Sequence, residues 1–212
     1  MDIYYGAYAR FDTVSKKEAS TLVGADNLVG DVFEIVFVTE NGQVVAWARN
    51  KFGRNIGFFD TVVSRKLSIL NARGWTLKAI LSFIAYTDTP EPGHYWGEMA
   101  LICFDPSFDA SFSNFLQGLC SKLEEGIRPN IDLSESGISQ VIESEGSWIP
   151  KKREPLPERK TGTVIMKSRR KMSEKVIEQG RKKNKGCYVL SWAFLIALFV
   201  GIVILLKSCG VF

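Results

Sequence analysis

The spacing of apolar residues changes character several times along the chain. Residues 1–10 (MDIYYGAYAR) alternate loosely and are rich in aromatics, which predicts a strand. Residues 15–23 (SKKEASTLV) read as a short helix opened by Ser15, with Glu18 at the capping-box position, and Gly24 and Gly30 bracket a loop. Residues 32–39 (VFEIVFVT) and 43–49 (QVVAWAR) are rich in β-branched and aromatic residues. The Asn41-Gly42 pair between them predicts a hairpin, because a tight two-residue turn needs positive φ angles that Asn and Gly tolerate. After a turn through Gly53, Ile56-Gly57-Phe58 predicts a further short strand.

From Asp60 the period lengthens. Phe59, Val63, Leu67 and Leu70 form one helical stripe, Asp60 is placed to cap it, and Gly74 follows its expected end near Ala72. Two long strands follow, Trp75–Thr87 and about His94–Phe104, separated by the proline loop Asp88–Gly93. Phe108–Gly126 predicts an amphipathic helix opened near Asp105-Pro106-Ser107, and Ser134–Glu145 a weaker one. These elements place one α+β domain over residues 1–148: a small twisted β-barrel or sheet with an inserted helix and C-terminal helices.

Past Trp148 the composition shifts. Residues 149–160 (IPKKREPLPERK) hold three prolines and five basic residues, which predicts a stiff, solvated linker within a juxtamembrane segment 149–187. Residues 163–182 read either as a helix with Ile165, Met172 and Val176 near one face, lying on an anionic leaflet, or as a flexible basic tether. In the first reading Lys167, Arg169, Arg170, Lys171, Arg181, Lys182 and Lys183 contact lipid headgroups. The uncharged run Tyr188–Leu206 has 19 residues, about 28 Å as a helix, and predicts one C-terminal transmembrane span with a short tail, residues 207–212. Ala193, Ala197 and Gly201 repeat every fourth residue, a small-residue face that permits homo-oligomer packing, though small residues also occur singly against lipid.

Charge sets the expected orientation. Residues 1–150 carry 12 Lys/Arg against 19 Asp/Glu, whereas residues 151–186 carry 14 against 4. The basic side of a span stays cytoplasmic, so the expectation is a single-pass, tail-anchored protein with its N-terminal domain in the cytoplasm. The overall +4 therefore describes the juxtamembrane stretch and not the acidic domain. Four scattered cysteines and one histidine offer no zinc-type spacing, and no metal or cofactor is expected.

The segment NIGFFDTVVSRKLSILNARGWTLKAILSF (residues 55–83) carries a hydrophobic-Gly-aromatic strand (Ile56-Gly57-Phe58), a helix with Val63, Leu67 and Leu70, Gly74, and most of a strand over Leu77–Ala85. In that order and spacing, residues 32–104 resemble a HIRAN domain. The resemblance implies a barrel related to OB and SH3-like folds, and some members of that family bind single-stranded DNA ends. The family's Asn-Pro-Tyr-Asp-type loop is absent here, and the Glu40-Asn41-Gly42 turn stands in its place.

Three function classes remain to be weighed. Residues 49–78 hold seven bases against Asp60 alone, and Arg49, Lys51, Arg54, Lys66, Arg73 and Lys78 form a candidate phosphate-contacting patch. Trp47, Phe52 or Phe58 would stack bases beside it; the competing reading is a solvated helix face and hairpin end. For an enzyme the chain shows no Gly-rich phosphate loop, nucleophile elbow or metal-ligand spacing, and His94 opens a strand. The leading expectation is a non-catalytic binding or scaffold domain tethered to membrane lipids, with an unidentified protein partner.

Overall fold

The computed structural model describes residues 3–13, 22–40, 42–158, 161–176, 194–196 and 198–199. The chain divides into two compact units, Met1–Arg170 and Lys171–Phe212. In the first, the elements run β1 (Tyr4–Asp12), β2 (Val32–Glu40), β3 (Gln43–Arg49), β4 (Asn55–Phe59), α1 (Thr61–Ala72), β5 (Thr76–Thr87), β6 (His94–Phe104), α2 (Asp109–Glu124), α3 (Glu135–Glu143) and β7 (Thr163–Lys167). A single 3₁₀ turn, Pro106–Phe108, leads into α2, with the Asp105 carboxylate accepting from the Ser107 N–H.

All strand pairings are antiparallel. The order β2-β3-β4-β1-β6-β5 closes on itself where β2 pairs with β5, giving a six-stranded barrel. Local sequence explains most of the elements. β2 and β3 meet across a two-residue connection, with Glu40 opposite Gln43 and Gly42 at φ +77°. The Asp60 carboxylate accepts from the Val63 N–H at 2.8 Å, capping α1, and Gly74 at φ +79° ends it.

The strands β1, β5 and β6 are covered on both faces, which is why much of β5 and β6 reads as continuous apolar sequence rather than alternating. One core fills the barrel, with Phe11, Phe33, Phe59, Leu67, Leu81, Met99 and Leu101 at its heart. Phe11 fits because two strand neighbours lack side chains. A Cβ on Gly57 would lie 2.4 Å from its ring, and one on Gly97 2.8 Å. The second core lies outside the barrel, where Tyr4, Phe104, Phe112, Phe115 and Leu119 join α2 to the outer faces of β1 and β6.

β5 is shared. A bulge between Leu81 and Phe83 bends it. Its first half pairs with β2 at Lys78–Ile80, and its second half pairs with β7 at Ile84–Thr87. This corrects the expectation of one helix over 163–182: Thr163–Lys167 is a strand, residues 172–176 are helical, and 177–182 lie outside the described residues. The expected solvated linker also joins the fold, since Arg153 bridges to Pro129, the Asn130 N–H donates to Lys152 O and the Glu154 N–H to Arg128 O. Strand pairing satisfies backbone groups that a free tether would leave to water.

Among the described residues no helix is long and apolar enough to cross a membrane. The expected span lies outside them except for 194–196 and 198–199, which are helical. The expected helix over 15–23 also falls outside apart from Leu22 and Val23, both helical.

Candidate functional site

β1 is nine residues long and β4 only five, so the barrel cannot pair β1 along its whole length. On one side β1 pairs with β6 from Tyr4 to Asp12; on the other, β4 reaches only Phe11 and Asp12. The Asp105 N–H donates to Ile3 O, which fixes the alternation. Ile3, Tyr5, Ala7 and Ala9 turn their backbone groups toward β6, and Gly6 and Tyr8 turn theirs away from it. Beside Gly6 and Tyr8 no described strand pairs with that edge.

A groove of about 770 Å³ runs along this open edge. Four consecutive residues, Tyr5, Gly6, Ala7 and Tyr8, line it. Successive side chains of a strand point to opposite faces, so all four are met together only from the strand's edge. The far wall is the strap 152–158, in which Pro155, Leu156 and Pro157 are partly or fully exposed. Neither proline carries an N–H, so the strap cannot satisfy the edge by donating from those positions.

Arg128 organises the groove. Its Nη2 donates to Glu98 Oε2 at 2.7 Å, and its guanidinium lies 4.2 Å from the Tyr8 ring and 5.4 Å from that of Phe83. Only 7 % of the residue is exposed, and its Nε and Nη1 have no hydrogen-bond partner among the described protein atoms. The segment after it is pinned to β1 by two phenols: Tyr4 donates to Ile131 O and Tyr8 to Pro129 O, each at 2.9 Å. Burial pushes the Tyr8 phenol well above its ordinary value, with Arg128 pulling the other way, so it stays a protonated donor. Asp132, Glu154 and Glu158 line the same groove against Lys152.

His94 Nε2 lies 3.4 Å from Arg10 Nη2, and that guanidinium stacks 4.4 Å from the Trp96 ring. Burial pushes the Cys103 and Cys120 thiols up to about 12, which leaves them unreactive near neutral pH. Among the described residues no group of three or more His, Cys, Asp or Glu is placed to hold a metal ion.

The candidate basic patch divides. Arg49, Lys51 and Lys78 border a separate depression of about 480 Å³, but Glu34 lies in register with both Arg49 and Lys78, and Lys51 Nζ is 3.9 Å from Asp31. Arg49 Nε also donates to Asn55. Arg54 and Arg73 are exposed, and Lys66 on α1 lies 5.1 Å from the Tyr5 ring. Of the stacking candidates, Trp47 and Phe58 pack on each other at 5.3 Å, and the Trp47 indole N–H donates to Glu40.

The candidate headgroup contacts also divide. Arg169 and Lys171 are exposed, whereas Lys167 and Arg170 are buried. Lys167 Nζ donates to Gly24 O and Asn27 O. Arg170 pairs with Asp31 at 2.9 Å and Glu124 at 3.0 Å, and donates to Val29 O. Both side chains are committed inside the first unit, so they are corrected from lipid contacts to internal ties. Arg181, Lys182, Lys183, Ala193, Ala197 and Gly201 lie outside the described residues.

The groove itself was not anticipated from the sequence. Tyr4, Gly6 and Tyr8, alternating on one face, were its only local trace. The fold and site together define a closed antiparallel barrel in which the Gly6–Tyr8 edge of β1 has no strand partner among the described residues. Compared with protein-family models, curated proteins and solved structures, the chain has no match.

Proposed function

We propose that this protein is a non-catalytic binding module, tethered to a membrane through residues 188–206 with its first unit in the cytoplasm, and that it engages its partner in the β1 groove. The observation that carries the reading is the groove lined by Tyr5, Gly6, Ala7 and Tyr8 of β1, which β4 does not pair, together with Pro155, Leu156 and Pro157. Cavities of this size that mix apolar surface with a few fixed polar groups are the usual places for ligands. The tether reading rests on the uncharged 19-residue run and the basic stretch before it. It is supported by Phe194, Leu195, Ile196, Leu198 and Phe199, all helical and all exposed. A HIRAN-like relationship over 32–104 is part of the proposal, supported by the order β2, β3, β4, α1, β5, β6.

Nucleic acid is the second reading, and the patch 49–78 is its basis. Its cations are interleaved with Glu34 and Asp31, which weakens a phosphate field.

Site-directed photocrosslinking in the native membrane tests the groove. A benzoylphenylalanine at Leu156 should give a discrete adduct that an Asp132→Lys change diminishes, while the same probe at Val62, 77 % exposed on α1, gives none. Equal labelling from both positions, or none from Leu156, would remove the groove as the binding site.

A further inference from the structure

We infer that the groove's ligand is an extended polypeptide segment carrying Lys or Arg, which adds to β1 as an extra strand. This rests on the groove being the binding site. It goes further by naming the chemistry of what enters and the way it is held.

The backbone geometry selects an extended chain. Gly6 and Tyr8 present N–H and C=O groups at strand spacing on an edge that β4 is too short to reach. A segment laid beside them gains ladder hydrogen bonds whatever its side chains, as peptides do when they augment a sheet edge. The open stretch, Tyr4 to Ala9, is about 20 Å long at a strand's rise, room for roughly six residues.

Charge selects the sign. Arg128 and Glu98 neutralise one another at 2.7 Å, and Lys152 is outnumbered by Asp132, Glu154 and Glu158. Asp132 and Glu158 are exposed. A basic side chain gains from this lining, and a phosphate backbone is repelled by it.

Lys152 and residues 154–158 line the groove together with Tyr5, Gly6, Ala7 and Tyr8, so one extended segment can touch both sets at once.

The test uses the full-length chain in lipid nanodiscs and a phage-displayed random decapeptide library as the probe. Selected peptides should alternate β-branched or aromatic residues and contain Lys or Arg. N-methylating one alternate set of amides in a synthetic selected peptide should weaken binding about tenfold or more, because two ladder bonds are lost, while methylating the other set changes little. Asp132→Lys/Glu158→Lys in the protein should weaken the same peptide by about tenfold while leaving the melting temperature unchanged. Peptides that need these carboxylates but tolerate methylation of either set would overturn strand addition and leave the groove as the site. Peptides indifferent to Leu156→Arg and to the carboxylates, or no enrichment at all, would overturn both. Selection of acidic peptides, or a concentration-dependent dimer that blocks them, would overturn the assignment of the occupant.

Discussion

Replacing Arg170 with Ala should lower the unfolding free energy by about 3 kcal/mol, because it removes the cation paired with Glu124 and the nearer of the two paired with Asp31, both carboxylates being part-buried. In a domain of this size that corresponds to a fall in melting temperature of roughly 10 °C. The guanidinium joins three parts of the first unit: the loop before β2 through Asp31 and Val29 O, the end of α2 through Glu124, and the backbone after β7. The Arg170 backbone N–H also donates to Glu124 O, so the α2 end and the chain after β7 are bound twice. Arg170→Lys should restore only part of the loss, since one ammonium cannot span the same acceptors in a planar fork. Thermal melts of the three proteins decide the matter. A change within about 0.5 kcal/mol for Arg170→Ala is what an exposed headgroup contact would give, and it would contradict the buried placement.

Phe112→Ala should cost about 4 kcal/mol, the range for truncating a fully buried aromatic ring. Phe112 is the joint between the barrel and α2. Its ring stacks on Tyr4 at 5.2 Å and on Phe104 at 5.0 Å, and meets Phe115 edge-on at 6.4 Å. The loss reaches the groove, because Tyr4 also holds Ile131 through its hydroxyl. Urea denaturation measures it. A loss below about 1 kcal/mol would mean that α2 is not anchored through this ring.

Much of the barrel was legible because its signals are local. Asn41-Gly42 marks the β2–β3 hairpin, Asp60 and Gly74 bracket α1, and the Phe59/Val63/Leu67/Leu70 stripe faces the barrel core. β7 was not legible. Five residues between basic neighbours carry little periodic signal, and their partner strand lies about 80 positions upstream. For the same reason Lys167 and Arg170 read as surface charge: their acceptors at 24–31 and Glu124 are supplied by the fold, not by neighbours in sequence. The prolines at 155 and 157 were recognised as chain stiffeners, but not as a wall unable to donate to β1. The open edge arises from the mismatch between a nine-residue and a five-residue strand, and that matters only once topology sets them side by side.

Amide hydrogen exchange along β1, followed residue by residue by NMR on the full chain, tests the open edge most directly. The Tyr5, Ala7 and Ala9 amides are in the β6 ladder, while those of Gly6 and Tyr8 face the groove. In the free protein Gly6 and Tyr8 should exchange about a hundredfold faster than their three neighbours, and a bound peptide should slow them selectively. Equal protection of both sets in the free protein, or protection of Gly6 and Tyr8 that a bound peptide leaves unchanged, would contradict the account.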